Sequence, residues 1–105
     1  MSTIDYGFIE VDFKKLDKAI SEIEKYIKQL KKNMMNAQDE VNLLLQRCQG
    51  PDFAQFKNQW DMAIGEGSTY SDFCKALESY VSFLKYVKIQ YKYMQSRAIN
   101  RADSL

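Results

Sequence analysis

The sequence predicts an all-α protein: an antiparallel two-helix hairpin that pairs with a second hairpin into a four-helix bundle dimer. Three observations predict it. Apolar residues recur at alternating steps of three and four along two long stretches. One Gly-Pro step, Gly50-Pro51, divides the stretches. Turn signals are otherwise scarce: the 105 residues hold four glycines and one proline, whereas a β-sandwich or barrel needs a turn about every 8–12 residues.

The first helix is predicted over about 12–48. Its apolar residues are Phe13, Leu16, Ile20, Ile23, Ile27, Leu30, Met34, Ala37, Val41, Leu44 and Cys48. That spacing draws a narrow apolar seam along one helix face. Lys14, Lys15, Asp17, Lys18, Glu22, Glu24, Lys25 and Lys28 fall between the seam positions. They form a solvated face with opposite charges in reach, such as Asp17 with Lys14 and Glu24 with Lys28. Asp12 precedes the run as an N-cap, because its carboxylate accepts the unpaired N–H groups of the first turn. The helix is then about 55 Å long at 1.5 Å per residue.

The turn is predicted at about 49–52. Gly50 can take a left-handed C-cap, Pro51 cannot continue the helix before it, and Pro51 or Asp52 can begin the next. A connection this short sets the helices antiparallel.

The second helix is predicted over about 53–98. Phe53, Phe56, Trp60, Ala63, Gly67, Tyr70, Cys74, Leu77, Val81 and Leu84 repeat the heptad, with Lys88 and Tyr91 next in phase. Gly65-Glu66-Gly67-Ser68 resembles a break, and Thr69–Asp72 could supply a capping box for a fresh helix. The register is nevertheless the same on both sides, which favours one helix kinked near 65–68 over two. A second apolar row, Ala76, Tyr80, Phe83, Val87 and Met94, has no partner within a lone hairpin and calls for another helix pair. The tail from Asn100 is patternless and expected to fray.

Composition narrows the function. Charged residues make up 28% of the chain, yet the net charge is only +1, which speaks against a dedicated nucleic-acid binder. Apolar stretches are short and interrupted by charge, so no membrane insertion is expected. The first residues lack the basic and apolar regions of a secretory signal peptide. The absence of histidine removes the commonest general base and metal ligand. No catalytic residue, cofactor or metal is expected. Asp39 and Glu40 are adjacent and splay apart on a helix, and a two-helix hairpin should have no pocket to gather a catalytic pair.

The two cysteines read as small buried hydrophobes. In a hairpin turning at Gly50, Cys74 lies roughly 35 Å along the second helix from Cys48. A disulfide needs Cα atoms within about 7 Å. Tyr70, Tyr80, Tyr86, Tyr91 and Tyr93, with Lys85, Lys88 and Lys92 among them, could stack on a nucleic acid. Aromatic residues at helical spacing are more often a core or an interface.

The segment Cys48-Gln49-Gly50, followed by Asp52-Phe53-Ala54-Gln55-Phe56-Lys57-Asn58-Gln59-Trp60, resembles the WXG family of small type VII secretion proteins, which are early secreted antigen-like. Gly50 matches the family glycine of the turn motif. Phe53, Phe56 and Trp60 match the aromatic pattern after it. Cys48 stands where the family has tryptophan. The family's Y-x-x-x-D/E export signal, found after the second helix, is missing there, since Tyr86, Tyr91 and Tyr93 are followed four residues on by Gln90, Gln95 and Arg97. Tyr6 and Glu10 have the spacing but precede the first helix.

The resemblance implies a non-enzymatic type VII secretion protein, either a small secreted substrate or an adaptor that pairs with a larger effector. It implies a homodimer or a heterodimer with a related hairpin, and an export ATPase as a further partner. The protein would be secreted without a classical signal peptide, or cytoplasmic before export. The expected interface comprises Phe53, Phe56, Trp60, Tyr80, Phe83, Val87 and Met94. The alternative is a structural or regulatory coiled-coil module unrelated to secretion.

Overall fold

A computed structural model describes the backbone of residues 3–6 and 9–104, and the side chains of 12–97. Its architecture is helical, with a small β-hairpin ahead of the helices. Strands β1 (Thr3–Tyr6) and β2 (Ile9–Asp12) pair antiparallel, from Thr3 opposite Asp12 to Tyr6 opposite Ile9. Helices α1 (Phe13–Arg47), α2 (Pro51–Ile64) and α3 (Thr69–Ser104) follow. The all-α expectation holds for the chain from Phe13 on, and the hairpin lies ahead of it. Its strands read Thr-Ile-Asp-Tyr and Ile-Glu-Val-Asp, rich in the β-branched and aromatic residues that suit a pleated backbone.

Asp12 caps α1 as expected. Its Oδ1 accepts hydrogen bonds from the Lys14 and Lys15 backbone N–H groups, each at 3.1 Å. Gly50 separates α1 from α2 at φ 136°, ψ 168°, a region open to glycine alone, and Pro51 opens α2. The second helix is divided rather than kinked. Gly65 turns extended, at φ −73° and ψ 178°, and Gly67 takes φ 80°. The fresh cap is Ser68 rather than Thr69, its Oγ accepting from the Ser71 N–H at 3.1 Å. Two glycines within three residues weaken the helix by about 1 kcal/mol each, and a serine placed to cap captures the restart. At its far end α3 runs on to Ser104 instead of fraying from Asn100.

The described chain forms two compact units, Met1–Glu24 with Ser79–Leu105, and Lys25–Glu78. Among the described side chains, one residue of α1 and one of α3 is buried in each: Ile20 and Val81 in the first, Ile27 and Cys74 in the second. All four lie on the predicted seam, at the same heptad position within each helix. Charges beside the seam tie the helices together. Asp17 pairs with Lys88, and Glu24 with Lys85 at 3.2 Å, in the first unit. Lys31 pairs with Glu78 in the second. The expected pairing of Asp17 with Lys14 and Glu24 with Lys28 is thereby corrected. A lysine on a facing helix reaches these carboxylates at the seam's edge.

Candidate interaction surface

The predicted second row of α3 lies open in the first unit. Tyr80, Phe83 and Met94 are 52%, 56% and 44% exposed, and Val87 is half-buried. The rings of Tyr80 and Phe83 stack one helical turn apart, with centroids at 6.5 Å. Seam residues of the same helix, Val81, Leu84, Lys88 and Tyr91, are buried or half-buried. Thus α3 uses one apolar stripe and presents another to solvent. A further exposed row, Tyr86, Ile89 and Tyr93, lies on a different side of α3, and the Arg97 guanidinium sits 5.8 Å from the centre of the Tyr93 ring. The sequence reading passed over Ile89. Its signal was the spacing of 86, 89 and 93, which repeats the three-four step off the seam.

The residues near the turn divide. Phe53 is half-buried. Trp60 is half-buried too, and its indole Nε1 donates to the Gln38 Oε1 at 2.7 Å. Phe56 is 36% exposed and Leu44 is exposed. The polar partner of Trp60 was not foreseen. Gln38 and Trp60 are nearly equidistant from Gln49-Gly50, so the symmetry of a turn there could have found the pair. Cys48 is half-buried and Gly50 is exposed, and both cysteines are free thiols. Tyr6 ends β1 and Glu10 lies in β2 opposite Asp5. The side chains of Tyr6 and Glu10 lie outside the described residues.

The second unit holds a groove of about 570 Å³, which corrects the expectation that no pocket would form. Met34, Met35, Ile64, Tyr70 and Cys74 give it an apolar lining. Two of its lining residues, Ile64 and Tyr70, flank the stretch where α2 ends and α3 begins. Both lysines of its lining are held in ion pairs. Lys31 meets Glu78, whose carboxylate holds the ammonium pKa above its ordinary value through a hydrogen bond and then through its charge. Lys75 reaches Glu66 at 3.9 Å. Burial, and next a hydrogen bond with Cys74, raise the Tyr70 phenol. Both shifts keep each group in its neutral-pH form, the ammonium charged and the phenol neutral. Among the described residues no group of three or more Cys, Asp or Glu side chains could hold a metal ion, and no helix is long and apolar enough to cross a membrane.

No family model, curated protein or solved structure matches this chain.

Proposed function

We propose that this protein is a non-enzymatic pairing module of a type VII secretion pathway, a small substrate or an adaptor for a larger effector. Its helices act as an antiparallel hairpin that a second hairpin completes into a four-helix bundle. The observation that carries the reading is the open second row of α3. Tyr80, Phe83 and Met94 are large apolar side chains left in water, where a contiguous apolar patch marks an association surface. The family reading adds the turn pattern Gly50, Phe53, Phe56 and Trp60, and the export ATPase as the machine that receives the assembled pair. The mechanism is docking: the row inserts between partner side chains at ridge-and-groove spacing, and burial supplies the affinity.

Sedimentation of the purified chain at tens of micromolar, alone and with a co-expressed hairpin or long-helix protein from its genomic neighbourhood, tests this. We expect a two-chain mass in one of the two samples, and its loss in Phe83→Glu at unchanged helicity. A single-chain mass in both overturns the reading. The link to secretion has its own test. With Cys48 as a packing residue in place of the family tryptophan, Cys48→Ala should leave export nearly unchanged, while the double variant Tyr6→Ala/Glu10→Ala should weaken it. The reverse result returns the role to the turn.

A further inference from the structure

We propose that the groove of the second unit binds one small amphiphile, with the apolar body on Met34, Met35 and Ile64 and a single anionic group on the Lys75 ammonium. The proposal does not rest on the pairing reading, whose open row, from Tyr80 to Met94, belongs to the first unit.

The first ground is size and lining. The groove offers about 570 Å³. Small-ligand sites hold roughly 300–1,000 Å³ and are mostly apolar with a few placed polar groups. Two turns of an α-helix with its side chains, about 11 Å across and about 11 Å long, displace about 1,000 Å³. The groove therefore suits a small molecule better than a helix. All its lining residues belong to the unit Lys25–Glu78, so one unit builds the whole site. Met34 and Met35 are unbranched and polarizable, and such side chains adapt to an irregular apolar body.

The second ground is which polar groups are already committed. Gln38 accepts from the Trp60 indole at 2.7 Å. Lys31 is hydrogen-bonded to Glu78, and the Tyr70 phenol to Cys74. Lys75 is held more loosely. It meets Glu66 at 3.9 Å, and the two side chains are 62% and 92% exposed. An ion pair so long and so solvated contributes little, so Lys75 can exchange Glu66 for another anion at small cost.

The third ground is the sign of the charge. The lining carries two ammonium groups, Lys31 and Lys75, against one carboxylate, Glu78, and that carboxylate is taken by Lys31. An anionic head complements the remaining ammonium through a charge-assisted hydrogen bond. A neutral or cationic head leaves it without that partner. The apolar lining beside it gives the rest of the molecule its place, which an inorganic anion would not use.

Decanoate and decanol, each added to the full chain below its aggregation concentration, are the probes. They share an apolar chain and differ in the charge of the head. NMR of the side-chain methyl groups locates the site. We expect saturable one-to-one shifts at Met34, Met35 and Ile64 with decanoate. Lys75→Gln should weaken decanoate about tenfold, the order of one charge-assisted hydrogen bond, and leave decanol unchanged. Met35→Glu, at a 68% exposed position, should remove decanoate binding at unchanged helicity, because it sets a like charge against the ligand. Shifts that do not saturate, or that centre on Val87 and Met94 instead, overturn the proposal. So does a Lys75→Gln variant that spares decanoate or weakens decanol equally, and a Met35→Glu variant that still binds decanoate. Displacement of decanoate by a co-expressed hairpin would assign the groove to a protein partner and overturn the proposal as well.

Discussion

Helix α3 buries Cys74 and Val81 and half-buries Leu77 and Leu84 on its seam, whereas α2, built on the same three-four spacing, buries nothing. Composition does not separate them, since α2 carries Phe53, Phe56 and Trp60 within ten residues of its start. What separates them is length and company. Ion pairs join α3 to α1 at Asp17 and Glu24 in the first unit and at Lys31 in the second. Fourteen residues make α2 four turns or so, released at each end by glycine. An apolar heptad specifies which face would be buried. Whether it is buried depends on a neighbouring helix of matching extent.

The largest test of that contrast is a charge placed on each stripe. Val81→Asp places a carboxylate at a 6% exposed site and should cost about 3–5 kcal/mol. Phe56→Asp, on the equivalent stripe of α2, should cost less than about 1 kcal/mol, as surface substitutions do. Urea unfolding of both variants reads the difference. Equal losses would show that α2 is packed as firmly as α3.

Within α2, Trp60 is hydrogen-bonded to α1, and it sharpens the comparison. The indole is half-buried and hydrogen-bonded to Gln38, so Trp60→Ala should cost about 2–3 kcal/mol, below the 3–5 of a fully enclosed ring. Trp60→Phe keeps most of the area and drops the hydrogen bond, for about 1 kcal/mol. A Trp60→Ala loss under about 1 kcal/mol would place the ring among surface groups.

These expectations show where the sequence was readable. The seam was legible because heptad spacing is a geometric demand that α1 and α3 both meet, and the four buried apolar side chains among the described residues fall on it. The Asp12 cap was legible because a carboxylate before an amphipathic run has one local use. The second row was legible as exposed because one partner helix covers one stripe. The break at 65–68 was misread because preserved register argues for continuity while two glycines and a capping serine argue against it, and local chemistry prevailed. The groove, lined by residues far apart in the sequence such as Met34 and Tyr70, gives no local signal. The partners of Asp17 and Glu24 lie on a distant stretch of chain, which an i, i+4 rule cannot see.

The cap at the break gives a smaller effect. Ser68→Ala removes the acceptor of the Ser71 N–H and should cost about 1 kcal/mol. Because Ser68 is the buried polar residue at the start of α3, the loss should appear in thermal unfolding and also as faster amide exchange confined to residues 69–72. Faster exchange throughout α2 as well would join the two helices into one cooperative unit and weaken the distinction between them.

The smallest effect separates the two regions by pH. The Lys31 ammonium and the Tyr70 phenol both have raised pKa values, the first through Glu78 and the second chiefly through burial. For either group the folded form holds its proton more tightly than the unfolded chain. The added stability is fully present below the unfolded pKa and is lost as pH rises through the folded value. The window therefore opens near pH 10 and continues upward, where other lysines and tyrosines titrate too. The informative quantity is the difference between variants. From pH 9 to pH 11 the wild-type melting temperature should fall more steeply than that of Lys31→Met or Tyr70→Phe, which lack one titrating group each. Both groups line the groove beside α3, whereas Lys57 in α2 is an exposed side chain, so Lys57→Met should follow the wild-type slope. Lys57 does pair with Asp61, but that pair lies within one exposed helix, where salt and water screen it. A Lys57→Met slope as shallow as that of Lys31→Met would mean that the ion pair between helices does no more than the one within a helix, and the α1–α3 edge would lose its special standing.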